Sequence, residues 1–200
     1  MGQSAVLPAK PIRIDNRQCD LLPTQRISVF ATPLGWFGLV GRDQRVHRLT
    51  IGHASADDVR TSILRQSPAR NGQEDFVEED WFPELRSRLQ AYASGSKIDF
   101  SDCEVEIAGV TSFQRRVLAA TRRIAYGRTA TYGELARSIG CADAARAVGN
   151  VMAANRVPVL IPCHRVVAAG GKWGGFSAPQ GVDLKQRMLR MEAETCDVLE

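Results

Sequence analysis

No stretch of these 200 residues comes near the roughly 18 consecutive apolar residues that a membrane helix needs. The opening MGQSAVLPAKPIRIDNRQ lacks the apolar segment of a secretory signal. The five cysteines, Cys19, Cys103, Cys141, Cys163 and Cys196, stand singly without a CxxC pair, and their odd number argues against a disulfide framework. Together these absences argue against a helical membrane protein and a disulfide-stapled secreted one. They set a cytoplasmic protein as the expectation. In a reducing compartment a cysteine is by default a packing residue, so a reactive one has to be argued from its surroundings.

What is present is an ordinary globular composition, 44% apolar and 24% charged, in a chain long enough for one large domain or two small ones. The charge is placed unevenly. Residues 1–106 hold 13 Lys/Arg against 15 Asp/Glu, and residues 107–200 hold 13 against 7. A basic second part suits an anionic partner, nucleic acid being the commonest, although many domains are basic for solubility alone.

The first part reads as sheet plus helix. ISVFATPLGWFGLVGRDQRVHRLTIGH (27–53) breaks at Gly35 and around Gly41–Gln44, as a meander of short strands would. Ser55 can cap a helix running to Gln66, and Leu85, Leu89 and Tyr92 recur at helical spacing over 81–95. The polar stretch between them, SPARNGQEDFVEED, reads as a loop. His47 and His53 flank a strand-like run but form no convincing metal site.

The second part is helical. Over 111–127, Phe113, Val117, Ala120 and Ile124 share one face with arginines opposite. Thr131-Tyr132-Gly133-Glu134 has the form of a capping box ahead of a short helix, and 142–155 supplies another rich in alanine. Two short helices around a glycine-containing turn outline a helix-turn-helix. On the second, small side chains such as Ala145 and Gly149 allow close backbone approach, with Arg146 as the one long cationic arm. Tight packing against other helices would explain the alanines equally well.

VPVLIPCHRV then brings a thiol, an imidazole and a guanidinium together. Pro158 and Pro162 exclude a helix interior, so the segment is expected to run extended into Cys163. Neighbouring side chains on extended backbone face opposite ways, so His164 would reach Cys163 only through a water. Such a base needs its other ring nitrogen held by an acceptor. Glu192 is a candidate, because it lies at the edge of the stripe Leu184, Met188, Met191 in the last helix. A buried inert cysteine and a surface glutamate remain the alternative at this point.

From FQRRV through YGELA, ARAVGNVMAAN, IPCHRVV, GGFS and the terminal K-x-x-x-L-x-x-E, residues 111–194 resemble the O6-alkylguanine-DNA alkyltransferases. TPLGWFGLV extends a looser resemblance into the first part. The resemblance implies an α+β fold: a ribonuclease-H-like supporting domain over 1–106, with 1–24 extended or poorly ordered, then a DNA-binding and alkyl-acceptor domain over 107–200 with a winged-helix-like helix-turn-helix. It implies an enzyme that flips O6-alkylguanine out of duplex DNA through the minor groove and moves the alkyl group irreversibly onto its own cysteine. No metal or cofactor is implied. A monomer is the expectation.

By the same resemblance Cys163 is the nucleophile, His164 the water-mediated base and Glu192 its orienting group. Tyr132 lies beside the flipped nucleotide's phosphate and donates a proton to the leaving guanine. Arg146 fills the space left by the flipped base, in the helix that carries Ala145 and Gly149. Asn155 braces the turn before the cysteine, the backbone at Cys163 and Val166 holds the guanine edge, Phe176 forms an aromatic wall, and Ser177 bonds O6. Two departures stand out: the loop FSAPQGVDLK is about two residues longer than in many relatives, and Phe176 replaces a usual tyrosine. A damage-recognition relative without transfer usually lacks the cysteine. A cysteine-sensing helix-turn-helix regulator would leave His164 and Glu192 without a task.

Overall fold

The computed structural model describes residues 24–66 and 76–198. Cys19 and the expectation for the N-terminal segment therefore fall outside the described residues, Thr24 excepted. The predicted meander is present: β1 (Gln25–Thr32), β2 (Gly35–Arg42) and β3 (Arg45–His53) pair antiparallel. Asp43 and Gln44 turn β2 into β3 with φ of 48° and 59°, the left-handed pair that a two-residue hairpin needs.

Two short strands complete a sheet of order β4-β1-β2-β3-β5. One of them corrects the sequence reading. Within the polar stretch expected to be a loop, Phe76–Glu78 forms β4, parallel to β1. Three residues without alternating apolar side chains carry no strand signal, and the free edge of β1 recruits them. The other, β5 (Glu104–Val105), pairs parallel with β3.

Helix α1 (Ala56–Arg65) starts where Ser55 accepts from the Asp58 amide, and its Val59 and Ile63 pack on Ile27 and Val40. The opposite sheet face places Phe37, Leu39, Leu49 and Ile51 in one core with Leu85, Leu89 and Tyr92 of α2 (Pro83–Ala93). That core continues without a break into Leu135, Val148, Ile161 and Leu184 of the second half.

There, α3 (Ser112–Arg122) and α4 (Tyr132–Ser138) each begin with a complete capping box, Thr111 with Gln114 and Thr131 with Glu134. Helices α5 (Ala145–Ala153) and α6 (Gly181–Val198) follow. The arginine face expected on α3 is only partly outward: Arg122 is buried and donates to the carbonyls of Phe100 and Cys103. The run before Cys163 is not extended either. Val159 has φ 71°, the Ile161 amide donates to the Val157 carbonyl at 2.9 Å, and Cys163–Arg165 form one 3-10 turn. Both prolines keep α-helix out, but they leave tight turns open.

Gly52, with φ 76°, lets α6 lie against the end of β3: a Cβ there would stand 2.4 Å from Leu184 Cδ2. Gly52→Ala combines left-handed strain with a core clash, so we expect a loss of about 2 kcal/mol. Thermal unfolding should show it as a Tm lower by about 4–8 °C.

Candidate active site

Cys163 opens the 3-10 turn at 7% exposure, and His164 behind it is fully buried. Three residues per turn point consecutive side chains in different directions, and no direct His164–Cys163 bond forms. The ring instead reaches α6, where His164 Nε2 lies 2.9 Å from Glu192 Oε1. His164 Nδ1 is buried with no hydrogen-bond partner. An ionised carboxylate only accepts, so Nε2 carries the proton and Nδ1 presents a lone pair.

Glu192 is the most heavily bonded group in the molecule's centre. Arg165 grips it through two nitrogens, Nε to Oε2 and Nη2 to Oε1, both at 2.9 Å. The Gly127 amide donates to Oε2 at 3.1 Å and the Tyr92 hydroxyl to Oε1 at 2.7 Å. Burial alone would raise the Glu192 pKa. Its hydrogen bonds from His164 and Arg165, with the Arg165 charge, outweigh that and hold it ionised, well below the usual carboxylate range. Arg165 is fixed in turn by the Ile124 carbonyl at 2.7 Å and by the Tyr126 ring, 5.5 Å from its Cζ.

Burial pushes the Cys163 thiol above its ordinary value, against the pull of the Asn155 side chain and the Lys185 ammonium. Burial likewise lowers the His164 pKa, partly offset by Glu192. At rest the pair is therefore a protonated thiol and a neutral imidazole. Lys185 is fully buried, donates to the Val166 carbonyl at 2.7 Å, and has its pKa lowered by burial to about 8.

Asn155 spans the turn before the cysteine. Its Nδ2 donates to the Ile161 carbonyl at 2.9 Å and its Oδ1 accepts the Val157 amide at 3.1 Å. Val166 has its carbonyl engaged by Lys185, while its amide donates to the Cys163 carbonyl. Phe176, Ser177 and Asn155 join Cys163 around a cavity of about 380 Å³ that continues to Thr50 and His53 of the sheet. The Ser177 hydroxyl donates to the Ala153 carbonyl at 2.8 Å, which leaves its oxygen free to accept. The longer loop is anchored to the first half: Gln180 Nε2 donates to the Gly52 carbonyl at 2.8 Å, and Arg187 bonds both Gln180 Oε1 and the Pro33 carbonyl.

A second, more open concavity of about 750 Å³ is lined by Tyr132, Ala145, Arg146 and Gly149. Arg146 is exposed there, with no ion-pair partner among the described residues. Tyr132 sits between α5 and the loop. Gly174, with φ 70°, is its close neighbour, since a Cβ there would stand 2.6 Å from the Tyr132 hydroxyl. His47 does not line the cavity at Cys163, whereas His53 lines it beside Thr50, with its Nε2 at 2.6 Å from Thr50 Oγ1. Among the described residues no group of three His, Cys, Asp or Glu could hold a metal ion.

Sequence reasoning missed the parts played by Tyr92, Arg165 and Lys185. For Lys185 a signal existed: with Met188 and Glu192 it follows i, i+3, i+7 spacing, one face of the helix. Arg165 was read as a neighbour of the thiol, whereas its side chain serves Glu192. Tyr92 was placed correctly on a core stripe, but its hydroxyl's destination lies 72 and 100 residues away in sequence.

A sheet unit joined to a helical unit holds a buried thiol next to a buried His–Glu pair, beside an open, cation-bearing surface. A family profile described as 6-O-methylguanine DNA methyltransferase, DNA binding domain, matches residues 112–194. The methylated-DNA–protein-cysteine methyltransferase of Mycolicibacterium paratuberculosis is 35% identical over 161 residues, 80% of this chain and 88% of that one. Its namesake from Metallosphaera sedula is 30% identical over 173 residues, 86% of this chain and 96% of that one. The crystal structure of Mycobacterium tuberculosis OGT in complex with DNA has a TM-score of 0.69 at 30% identity, covering 85% of this chain and 94% of that one. The chain belongs to the methylated-DNA–protein-cysteine methyltransferases, enzymes of DNA repair by alkyl transfer.

Two outcomes follow from the buried charges. Glu192→Gln leaves the Arg165 guanidinium without its counter-charge, and urea denaturation should record a loss of about 3–5 kcal/mol. The transfer rate should rise from acid pH as His164 becomes neutral and decline above about pH 8 as Lys185 loses the charge that favours the thiolate. In Lys185→Met the alkaline decline should vanish from the single-turnover pH profile.

Proposed function

We propose that this protein removes the alkyl group from O6 of alkylguanine in duplex DNA, once per molecule, by transfer to Cys163. The observation that carries the reading is His164, next to Cys163 in the same turn and held through Nε2 on Glu192, with its Nδ1 buried and unpartnered. Through one water, Nδ1 takes the Cys163 proton. The sulfur attacks the carbon on O6, the S–C bond forms as the C–O6 bond breaks, and that bond's electron pair stays with guanine. Tyr132, whose pKa burial raises with a further contribution from Cys163, remains a protonated phenol and supplies the proton that neutralises the leaving base. The product thioether is chemically stable, so turnover stops at one.

Access to O6 requires the base outside the stack. In this reading Ala145 and Gly149 let α5 approach the minor groove, and Arg146 takes the place of the flipped base. Asn155 holds the turn that aims Cys163. The backbone at Cys163 and Val166 borders the guanine edge, Phe176 covers its face, and the Ser177 oxygen lies beside O6. The protein acts as an intracellular monomer without cofactor. A damage-recognition role without transfer is the competing reading, and the thiol with its complete relay speaks against it.

Intact-protein mass after incubation with a duplex carrying one O6-methylguanine tests this. The expected result is a gain of one methylene, saturating at one per molecule and absent in Cys163→Ala. Lesion-selective binding without any gain would replace transfer by recognition. Arg146→Ala should slow transfer by at least about tenfold while leaving fold stability intact.

A further inference from the structure

Tyr92 is the member of the buried network that comes from the first half of the chain. It sits near the end of α2, is fully buried, and directs its hydroxyl between Glu192 Oε1 at 2.7 Å and His164 Nε2 at 3.2 Å. A phenol has one proton, and the shorter contact to a carboxylate takes it. The phenolic oxygen then faces the Nε2 proton and accepts a second branch of it. His164 Nε2–H is thus shared between two acceptors on one side, Glu192 Oε1 and Tyr92 Oη. A flipped tautomer, with its proton on Nδ1, would set a bare nitrogen against Glu192 and lose that bond, and Tyr92 could bond Nε2 only by withdrawing its proton from Glu192.

The hydroxyl is held from outside the relay. The Tyr92 ring meets Phe100 at 5.9 Å and 73° and Tyr126 at 6.1 Å and 89°. Two residues beyond α2, the Gly95 carbonyl accepts from Tyr126 at 3.3 Å and from Thr195 of α6 at 2.8 Å. The end of α2 is therefore tied to the helix that carries Glu192.

We propose that Tyr92 is a positioning residue for alkyl transfer: its hydroxyl fixes His164 as the Nε2–H tautomer and tempers the Glu192 carboxylate. The first half of the chain then completes the relay as well as supporting it. The inference rests on the function proposed above for His164, but its structural core, the tautomer, can be read without any transfer. The charged and titratable groups around His164 are Glu192 and Lys185 from α6, Arg165 and Cys163 beside it, and Tyr92 from α2.

The test uses Tyr92→Phe, which keeps the ring and removes the hydroxyl. Single-turnover transfer from an O6-methylguanine duplex is followed between about pH 5 and pH 9. Loss of the hydroxyl's donation leaves Glu192 a stronger partner for imidazolium, so His164 holds its proton to higher pH. The acid limb of the profile should move up, the rate at neutral pH should fall about tenfold, and DNA affinity should stay the same. A structural role alone would lower stability without moving that limb. In parallel, nitrogen NMR of the wild-type protein reads the His164 tautomer directly, with Nε2–H expected. A wild-type pH profile in the variant, a loss that does not depend on pH, or an Nδ1–H tautomer in the wild type would each overturn the proposal. If the wild-type protein transfers nothing, the functional reading fails, and the His164 tautomer compared between wild type and Tyr92→Phe still decides the positioning claim.

Discussion

One buried carboxylate organises this molecule. Glu192 is an ion with no exposure to water, and such a charge survives only when every lone pair is engaged and a counter-charge is close. Its partners are drawn from across the chain. Tyr92 comes from α2, Gly127 from the segment after α3, and His164 and Arg165 from the turn that begins at Cys163. Satisfying one anion therefore fixes the sheet-bearing half, the helical half and the Cys163 turn relative to one another. The common core makes the same junction in apolar terms.

The proposed chemistry follows from what that arrangement does to the thiol. Burial keeps Cys163 protonated at rest, so a base is needed at the moment of attack. His164 can serve because Glu192 occupies one ring nitrogen and leaves the other bare. Lys185 adds a charge that favours the thiolate. Asn155 holds the turn before the sulfur, and Gln180 ties the loop after Phe176 to Gly52 of the sheet. The open surface beside Tyr132 and Arg146 stands apart from this buried apparatus, as expected of a site that receives a large partner from outside and a small reacting group within.

Much of this was legible in the sequence, for local reasons. Ser55 and Thr131 announce helix starts because a cap is decided within four residues. Glu192 betrayed itself by lying at the margin of an apolar stripe. What escaped was set by distance or by backbone detail. β4 exists because β1 has a free edge, not because Phe76–Glu78 look like a strand. The tight turns at Val159 replace an extended run because proline excludes a helix without dictating what takes its place. Lys185 resembles a solvated lysine until its spacing from Glu192 is noticed. The destination of the Tyr92 hydroxyl belongs to the tertiary fold alone.

In the proposed mechanism Cys163 rests as a thiol and becomes a nucleophile through the His164–Glu192 pair. Thiolate absorbance, titrated in the free protein and corrected with Cys163→Ser, tests it most directly. The expected result is no Cys163 thiolate at neutral pH and a titration above the ordinary thiol value. A thiolate already present at neutral pH would contradict it, and would mean that Lys185 and Asn155 alone activate the sulfur, with His164 and Glu192 left a structural role.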